Sequence, residues 1–452
     1  MSVLKGKGKG NWLPRITVRV EGGQAWQDLL GLMSTAFTAP SFNLFEGLIT
    51  AWVLLPGRHT ITRMWQVIDE GSRRAHGAYH RFVRCGRWSP SELWHLIAVI
   101  EVGLFYAAGF ALLLYLDDTL LKKTGRKISG AGSFRDAVNS TKNKTVYAWG
   151  LNIVLLTLLV RVPWVGEPLS LPINMRLYRK NSSKTRLDLA EEMIHQIAEW
   201  FPDRRFLLCG DGAYAFLAGR RLPRTHITSR MRRDAALYEL PKPRRKGQRG
   251  RPAKKGARLP SPEQIARTLP QDQWRLAEID VRGKKQSVLL YARKVLWYQT
   301  VPDREILLII VRDPAGVQPD DFFFTTDVDA DPAEVVSQYA GRWSIEDTFR
   351  NVKQHLGAED PQTRKGEGPE RVAVLSFWTY AAVWIWYIQV HGTERTWRLL
   401  PWYTQKRTPS FLDALAALRR TLWTQRIFAG SGQMRHPEKT LGILLEALAT
   451  AA

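Results

Sequence analysis

The sequence predicts an α/β protein whose core is interrupted by a β-rich insertion, with a helical region before the core and a helical tail after it. Two short apolar runs end in the carboxylates Asp118 and Asp211, and an amphipathic helical pattern lies between them. A second helical pattern surrounds Glu346, after a long segment rich in strand-like runs. The 452 residues are enough for two or three domains with a large core.

Residues 1–105 are expected to form a helical domain. Helical patterns at 41–55, 61–68 and 77–85 are separated by turns, with Ser41 and Thr60 as candidate caps, and Ser89-Pro90-Ser91-Glu92 has the capping-box pattern of a helix start. A small DNA-binding domain of helix-turn-helix type fits this pattern, and a plain basic helical bundle is the alternative. The basic side chains are Arg58, Arg63, Arg73, Arg74, Arg81, Arg84 and Arg87.

Residues 106–230 are expected to form the first part of the α/β core. The apolar run at 111–116 predicts a buried strand with Asp117 and Asp118 at its tip. Strands at 145–160 and 163–178, a helix at 184–201, a strand at 206–209 before Asp211 and a strand at 225–229 follow. Strands, helix and strand, with carboxylates at strand ends, is the order of a ribonuclease-H-like domain.

Residues 231–320 are expected to be a basic linker followed by a β-rich insertion. Residues 241–258 hold nine basic and no acidic side chains, which predicts disorder in the free protein. Arg249-Gly250-Arg251-Pro252 resembles the core of an AT-hook, which binds the narrow minor groove of A·T-rich DNA. A nonspecific phosphate-binding linker is the alternative. Strand-like runs follow at 287–292, 295–301 and 305–311.

The second part of the core is assigned to residues 321–392 and a helical tail to 393–452. A strand is expected at 322–326, and a helix at 411–423 is the clearest element of the tail. Two apolar runs, 102–116 and 372–390, are candidates for membrane spans. The first is too short, and the second contains Ser376, Thr379 and Gln389, so a buried core helix is preferred to a transmembrane one.

The charge balance predicts a polyanionic partner. Lys and Arg number 66 against 42 Asp and Glu, which leaves a net charge of +24 and a pI near 10.2. Nucleic acid is the leading candidate and an anionic membrane surface is its competitor. Cys85 and Cys209 form neither a disulfide framework nor a zinc pattern, so a reducing cytosol is the expected location.

Residues 339–353 place four polar side chains on one stripe of a predicted helix. At about 100° per residue, Tyr339, Arg342, Glu346 and Lys353 share a narrow face beside an apolar stripe. A carboxylate flanked by cations suits a group that binds a divalent metal ion next to a phosphate. An ordinary amphipathic surface helix is the alternative.

Three carboxylates can together hold two divalent metal ions for phosphoryl transfer. The candidates for both catalysis and metal binding are Asp118, Asp211 and Glu346, each next to small or polar residues. Carboxylates favour Mg²⁺ or Mn²⁺. Because the strand is apolar on both faces, its alternation does not decide between Asp117 and Asp118.

The spacing Tyr-x2-Arg-x3-Glu-x6-Lys, with Asp-Asp-Thr and Gly-Asp-Gly-Ala-Tyr upstream, resembles the DD(E)-type insertion-sequence transposases over about residues 110–360. In that family the first aspartate usually precedes threonine, which favours Asp118. The resemblance implies that Tyr339, Arg342 and Lys353 contact DNA-end phosphates. Trp343 would stack on DNA, although a core position is equally compatible with the sequence.

The same resemblance implies a cut-and-paste cycle. Double-stranded DNA would be nicked, cleaved through a hairpin and joined to a target by a homodimer that holds two ends. Trp274 or Trp297 would receive a flipped base in the hairpin step. A metal-dependent nuclease or resolvase on the same fold, and a catalytically silent DNA-binding protein, are the alternatives.

Overall fold

The computed structural model of the chain describes residues 22–430, apart from 137, 142, 165, 242–252, 398 and 400, and also the single residue 448. The suggested AT-hook, with Arg249 and Arg251, lies outside the described residues. Within them the fold is mixed α/β, as expected, and its strands form a large and mostly antiparallel sheet between helices.

The N-terminal region is helical, as the sequence predicts. The Thr60 side chain accepts a hydrogen bond from the backbone N–H of Arg63, and that of Ser89 accepts one from Glu92, which confirms both caps. The predicted cap at Ser41 is wrong, because the helix begins two residues earlier and Pro40 occupies its first turn. The helices are α1 (Gly22–Gly31), α2 (Ala39–Leu54), α3 (Ile61–Val67), α4 (His76–Cys85) and α5 (Pro90–Phe105).

In the part of the chain that the structure describes, ten strands form one sheet. In chain order they are β1 (Leu112–Lys122), β2 (Gly132–Arg135), β3 (Tyr147–Val160), β4 (Leu169–Tyr178), β5 (Phe206–Gly210), β6 (Thr225–Arg230), β7 (Arg275–Val281), β8 (Lys284–Val295), β9 (Ile306–Arg312) and β10 (Asp321–Thr325). Their order across the sheet is β2-β3-β1-β5-β6-β10-β9-β8-β7. Strand β4 pairs with residues 152–160 of β3, after the residues of β3 that pair with β2. Only the β1–β5 and β5–β6 pairs are parallel.

Strand β1 continues through its two aspartates, so the expectation that they lie at the tip of the strand is wrong. On one side β1 pairs with β3 as far as Lys122, and this ladder keeps the backbone extended past Asp118. On the other side the parallel pairing with β5 ends at Leu116 and Gly210. Asp117 and Asp211 therefore follow neighbouring paired residues, at the same edge of the β1–β5 ladder.

The insertion extends the main sheet. Strand β10 pairs with β6, and β9, β8 and β7 follow it outward. The predicted strand at 295–301 is wrong, because β8 ends at Val295 and the chain then turns. Strand β7 was not predicted from the sequence, because its side chains are mostly exposed and lack an apolar run.

The remaining helices cover the sheet. Helix α6 begins with a complete capping box between Thr185 and Asp188. The predicted helix around residues 339–353 is interrupted: α8 passes into a 3₁₀ turn at Gly341–Trp343 and then into α9. These helices are α6 (Arg186–Trp200), α7 (Pro262–Thr268), α8 (Pro332–Ala340), α9 (Ser344–Gln354), α10 (Gly368–His391) and α11 (Phe411–Gly430).

Helix α10 is the second apolar run of the sequence and lies in the protein core. It is long and apolar enough to span a membrane by length and composition, but 89% of its most apolar window is buried inside the protein. Its neighbours include β4 and the helices α1, α4, α5 and α11. The first apolar run is divided between the end of α5 and the start of β1. These positions support the core interpretation of both runs.

Candidate active site

One face of β1 docks against the segment from α8 to α9 through three successive contacts. The Tyr115 hydroxyl donates to the carbonyl oxygen of Gln338 at 2.7 Å, and Arg342 Nη1 donates to Asp117 Oδ2 at 2.6 Å. Farther along, Lys353 Nζ donates to Thr119 Oγ1 at 2.7 Å. Alternate strand residues point to the same face, so these contacts align the helical segment with the strand.

The 3₁₀ turn brings the helical segment close to β1 at Gly341. A Cβ atom on Gly341 would lie 2.3 Å from the Tyr115 hydroxyl oxygen, so this position requires the absence of a side chain. The turn follows Gln338, whose carbonyl oxygen accepts the Tyr115 hydroxyl. Glycine at this point therefore places Arg342 and Glu346 next to the strand.

Asp117 is a buried carboxylate between cationic and anionic neighbours. Its side chain is paired with Arg342, and its Oδ1 also accepts the backbone N–H of Asp118 at 2.8 Å. Burial raises the pKa of Asp117 to about 7, against the lowering effect of the Arg342 guanidinium. The nearby carboxylates of Asp211 and Glu346 raise this pKa further. Asp117 therefore interacts electrostatically with both other candidate acids.

Asp211 is positioned by the end of β5 and the turn that follows it. Its Oδ1 accepts the backbone N–H of Ala213 at 2.9 Å, and its backbone carbonyl accepts the Ser229 hydroxyl from β6 at 2.8 Å. Burial raises the pKa of Asp211, and the Ala213 N–H opposes this rise. The turn residue is thus held in place from two sides.

Glu346 is exposed and is available to a ligand. It lies in the first turn of α9, and no hydrogen bond or ion pair joins its side chain to another residue that the structure describes. Its charge nevertheless raises the pKa values of Asp117, Arg342 and Lys353, so it lies among them. A carboxylate in this position is open on its solvent side.

Asp118 points to the opposite face of β1 and is occupied by other protein groups. Its Oδ2 accepts Asn152 Nδ2 at 2.8 Å and Arg186 Nη1 at 2.9 Å, and its Oδ1 accepts the Tyr214 hydroxyl at 3.1 Å. The alternating pattern of the sequence could not show which aspartate of β1 faces Arg342. In the packed structure it is Asp117 and not Asp118. Asp118 lies near Asp211, whose pKa it raises.

The carboxylates do not form a closed metal-binding cluster. Among the residues that the structure describes, no three His, Cys, Asp or Glu side chains lie close enough to hold a metal ion. Arg342 already occupies one oxygen of Asp117. Asp117, Asp211 and Glu346 nevertheless supply the hard oxygen donors that Mg²⁺ and Mn²⁺ prefer, and Glu346 has no competing partner among the described residues.

The aromatic candidates divide into surface and core residues. Trp343 is 54% exposed, and the guanidinium carbon of Arg282 lies 4.8 Å from its ring centroid. Tyr339 is buried against Phe323, and the Arg342 guanidinium lies 5.6 Å from its ring. Trp343 is therefore accessible to a ligand, whereas Tyr339 is buried and lies against Arg342.

The two tryptophans of the insertion are core residues in this structure. Trp297 is 5% exposed and packs edge-on against Phe324, and Trp274 is buried beside Arg312. The expectation that one of them receives a flipped base therefore disagrees with their burial. Both residues fill the insertion's core instead.

A family model of DDE superfamily endonucleases matches residues 33–287, which is more than half of the chain. The chain belongs to the DDE superfamily endonucleases. The match includes Asp117, Asp118 and Asp211 and ends before Glu346. No curated protein matches the chain.

Membership of this superfamily implies a DNA substrate and a nuclease or transposase type of activity. Endonucleases of this superfamily generally use divalent metal ions. The high positive charge of the chain agrees with a DNA substrate.

Two contributors to the site were missed from the sequence. Thr119 Oγ1 accepts a hydrogen bond from Lys353. Its position directly after the two aspartates is the signal that could have identified it. Arg282 lies in the turn between β7 and β8 and meets Trp343 across 61 positions of sequence, for which no local pattern exists.

Proposed function

We propose that this DDE superfamily endonuclease is a transposase that cleaves the ends of its own element and joins them to target DNA. The observation that supports this most is the alignment along β1. Asp117 accepts from Arg342 and Thr119 from Lys353. Glu346 lies on α9, between Lys353 of the same helix and Arg342 of the preceding 3₁₀ turn. Carboxylates that are flanked by cations on one face, with Glu346 exposed to solvent, suit a phosphodiester under nucleophilic attack.

Our proposed catalytic carboxylates are Asp117, Asp211 and Glu346. This differs from the sequence-based choice of Asp118, which faces away from α9 and already accepts three side-chain hydrogen bonds. Asp117 follows the last β1–β5 pair, next to Asp211, and its pKa responds to both Asp211 and Glu346.

Two Mg²⁺ or Mn²⁺ ions held by these carboxylates would supply activation of the attacking oxygen and stabilisation of the leaving oxygen. The chain itself positions the phosphate. Arg342, which Tyr339 supports, and Lys353, which Thr119 holds, would bind nonbridging oxygens on either side of Glu346. Trp343 would stack against the DNA end at the exposed edge of the site.

The sheet order supports a ribonuclease-H-like core in this proposal. The strands β4, β3, β1, β5 and β6 lie side by side, with β1, β5 and β6 parallel and β3 antiparallel to its neighbours. We assign residues 106–230 and 321–392 to this core and 231–320 to its insertion. Residues 1–105 would bind DNA ends, 393–452 would form the helical tail, and a homodimer would hold two ends together.

The proposed reaction consists of cleavage and joining, without a hairpin step. The burial of Trp274 and Trp297 leaves both without an exposed ring for a flipped base, so a hairpin step has no receiver among them. The basic linker, whose sequence resembles an AT-hook, would add contacts in the minor groove.

Strand-transfer assays with duplexes from the DNA that flanks the gene test this function. In the presence of Mg²⁺, the native chain is expected to nick these duplexes and join their 3′-hydroxyl ends to a plasmid. Glu346→Gln should do neither while still binding the duplexes. Joining by Glu346→Gln at the native rate would contradict the assignment, and cleavage without joining by the native chain would favour a nuclease.

A further inference from the structure

A basic cavity lies at the Lys353 end of the proposed catalytic site. The proposed catalytic roles give it no function. It has a volume of about 440 Å³ and is lined by residues from the turn after α2, the end of α9 and helix α11. This volume is within the range of ligand pockets, roughly 300–1,000 Å³. Its cations are Arg58, Lys353 and Arg419.

The charges in the cavity favour an anion. The carboxylate of Asp360 is opposed by three cations, which leaves two net positive charges. His59 adds no charge near neutral pH, because burial and the neighbouring Arg419 lower its pKa to about 4. His355, with a pKa that burial also lowers, is a half-buried member of the same wall.

Two of the cations are fixed and one is free to meet a ligand. Arg419 is 3% exposed and donates to the backbone carbonyls of Val53 and Leu55, at the end of α2. Lys353 is half-buried and bound to Thr119. Arg58 is exposed, and no hydrogen bond or ion pair joins its side chain to another residue within the described ranges.

The loop that closes the cavity after α9 is built to a definite shape. Gly357 has a positive φ of 53°, and a Cβ there would lie 2.3 Å from Asp360 Oδ2 and 2.7 Å from His59 Nδ1. The Trp52 indole donates to the carbonyl of Leu356 at 2.8 Å. Lys123 donates to the carbonyls of Ala358 and Glu359, at 3.1 and 2.8 Å. The walls of the cavity are therefore held without a ligand.

Lys353 connects the cavity to the proposed catalytic site. Its side chain lines the cavity, and its Nζ binds Thr119 on the face of β1 that also presents Asp117. Along the helix axis Lys353 lies about 10 Å from Glu346, at a rise of about 1.5 Å per residue. A strand with one phosphate at Glu346 can place a later phosphate in this cavity.

We propose that this cavity binds a backbone phosphate of the DNA strand that occupies the active site. Arg58 would contact this phosphate directly, and the charges of Lys353 and Arg419, whose side chains are held by Thr119 and by backbone carbonyls, would attract it. The exposed side chain of Leu412 would face the adjoining sugar. The inference rests on the proposed function, because the strand must also lie across the carboxylates. A free inorganic phosphate has the same anionic chemistry and is the alternative source of the ligand.

A phosphate-by-phosphate binding scan tests the proposal. Fluorescent duplexes from the DNA that flanks the gene would carry one neutral methylphosphonate at a time, and binding would be measured with Ca²⁺ in place of Mg²⁺. Arg58→Ala should weaken binding of the unmodified duplex about threefold to tenfold and reduce the slope of log K against log salt by about 0.9. In this variant, a methylphosphonate at the phosphate that Arg58 contacts should no longer weaken binding.

Two variants serve as controls. Arg58→Lys keeps the charge and should retain most of the affinity. Arg267→Ala removes another exposed arginine, which is paired with Glu263 on α7, and should leave the pattern of sensitive phosphates unchanged. Circular dichroism and thermal melting would verify that each variant is folded.

Each outcome separates the cavity from the catalytic proposal. If the native protein cleaves DNA, but each methylphosphonate weakens binding of Arg58→Ala as much as it weakens binding of the native protein, the cavity proposal is overturned and the proposed function stands. Binding of inorganic phosphate that depends on Arg58, without any change in the DNA scan, would assign the cavity to the free anion and also overturn it. Absence of DNA binding and cleavage by the native chain would remove both proposals.

Discussion

The contact between Gly341 and Tyr115 can be tested by a double-mutant cycle. Gly341→Ala introduces a Cβ 2.3 Å from the Tyr115 hydroxyl oxygen, whereas the next ring atoms lie 3.4 and 3.8 Å away. The hydroxyl is therefore the only severe obstacle in the described surroundings. Removing it with Tyr115→Phe should convert the clash into ordinary van der Waals contact.

The structure gives the expected magnitudes. Overpacking by one methyl in a rigid site costs about 1–3 kcal/mol, and alanine returns about 0.5–1 kcal/mol because Gly341 has helical backbone angles. Tyr115→Phe alone loses the hydrogen bond to Gln338, about 0.5–1.5 kcal/mol. The double variant lacks the clash and keeps the alanine gain, so it should be about 0.5–1 kcal/mol more stable than Tyr115→Phe. This corresponds to a coupling energy of about 1–3 kcal/mol, the energy of the clash.

Urea denaturation of the four proteins measures this coupling, and DNA cleavage measures its consequence. A shifted helical segment would misplace Arg342 and Glu346 relative to Asp117, so Gly341→Ala should lose about tenfold or more in cleavage rate. The second substitution should recover most of that loss. Additive changes in stability, or a Gly341→Ala variant as active as the native protein, would refute the account of the docking.

Three further predictions concern titratable groups. Arg342→Gln removes the cation that opposes the raised pKa of Asp117, so the acid limb of the pH–rate profile for Mg²⁺-dependent cleavage should move to higher pH; an unmoved limb would contradict this pairing. His59 has its pKa lowered by burial to about 4, so native stability should fall relative to His59→Gln as pH drops from about 6.5 towards about 4, by up to about 3 kcal/mol in chemical denaturation. Glu101 is fully buried and its carboxylate oxygens lack described partners, so its pKa is raised. Native stability should therefore fall relative to Glu101→Gln as pH rises above about 4.5, and a pH-independent difference between these two proteins would argue against a buried neutral acid.

Local chemistry explains which elements could be predicted from the sequence. The caps at Thr60 and Ser89 and the capping box at Thr185 involve residues at most three positions apart, so their patterns are visible in the chain. The long apolar runs of β1 and β3 likewise predict strands. By contrast, β7 has mostly exposed side chains and is held by pairing with β8, which no local pattern records.

The candidate site shows the same division. The spacing of Arg342, Glu346 and Lys353 places them on one helical face, and the structure keeps that face despite the 3₁₀ turn. The choice between Asp117 and Asp118 depends on which side of β1 faces α9, and both sides are buried. Only the packed fold decides it.

The basic cavity was beyond any sequence argument. Arg58, Lys353 and Arg419 come from distant parts of the chain, and none belongs to a pattern that predicts the other two. Their meeting depends on the packing of α2 against α11 and on the loop after α9.

The central claim is that Asp117, and not its neighbour, acts with Asp211 and Glu346. The direct measurement is Mg²⁺-dependent cleavage of flanking-DNA duplexes by Asp117→Asn and Asp118→Asn, with duplex binding measured in parallel. Asp117→Asn should lose about 10²- to 10³-fold in rate while still binding DNA. Asp118→Asn should lose about 1–2 kcal/mol of stability through weakened bonds to Arg186 and Asn152, and should cleave at close to the native rate. Loss of cleavage in a folded Asp118→Asn protein, with Asp117→Asn active, would contradict the account.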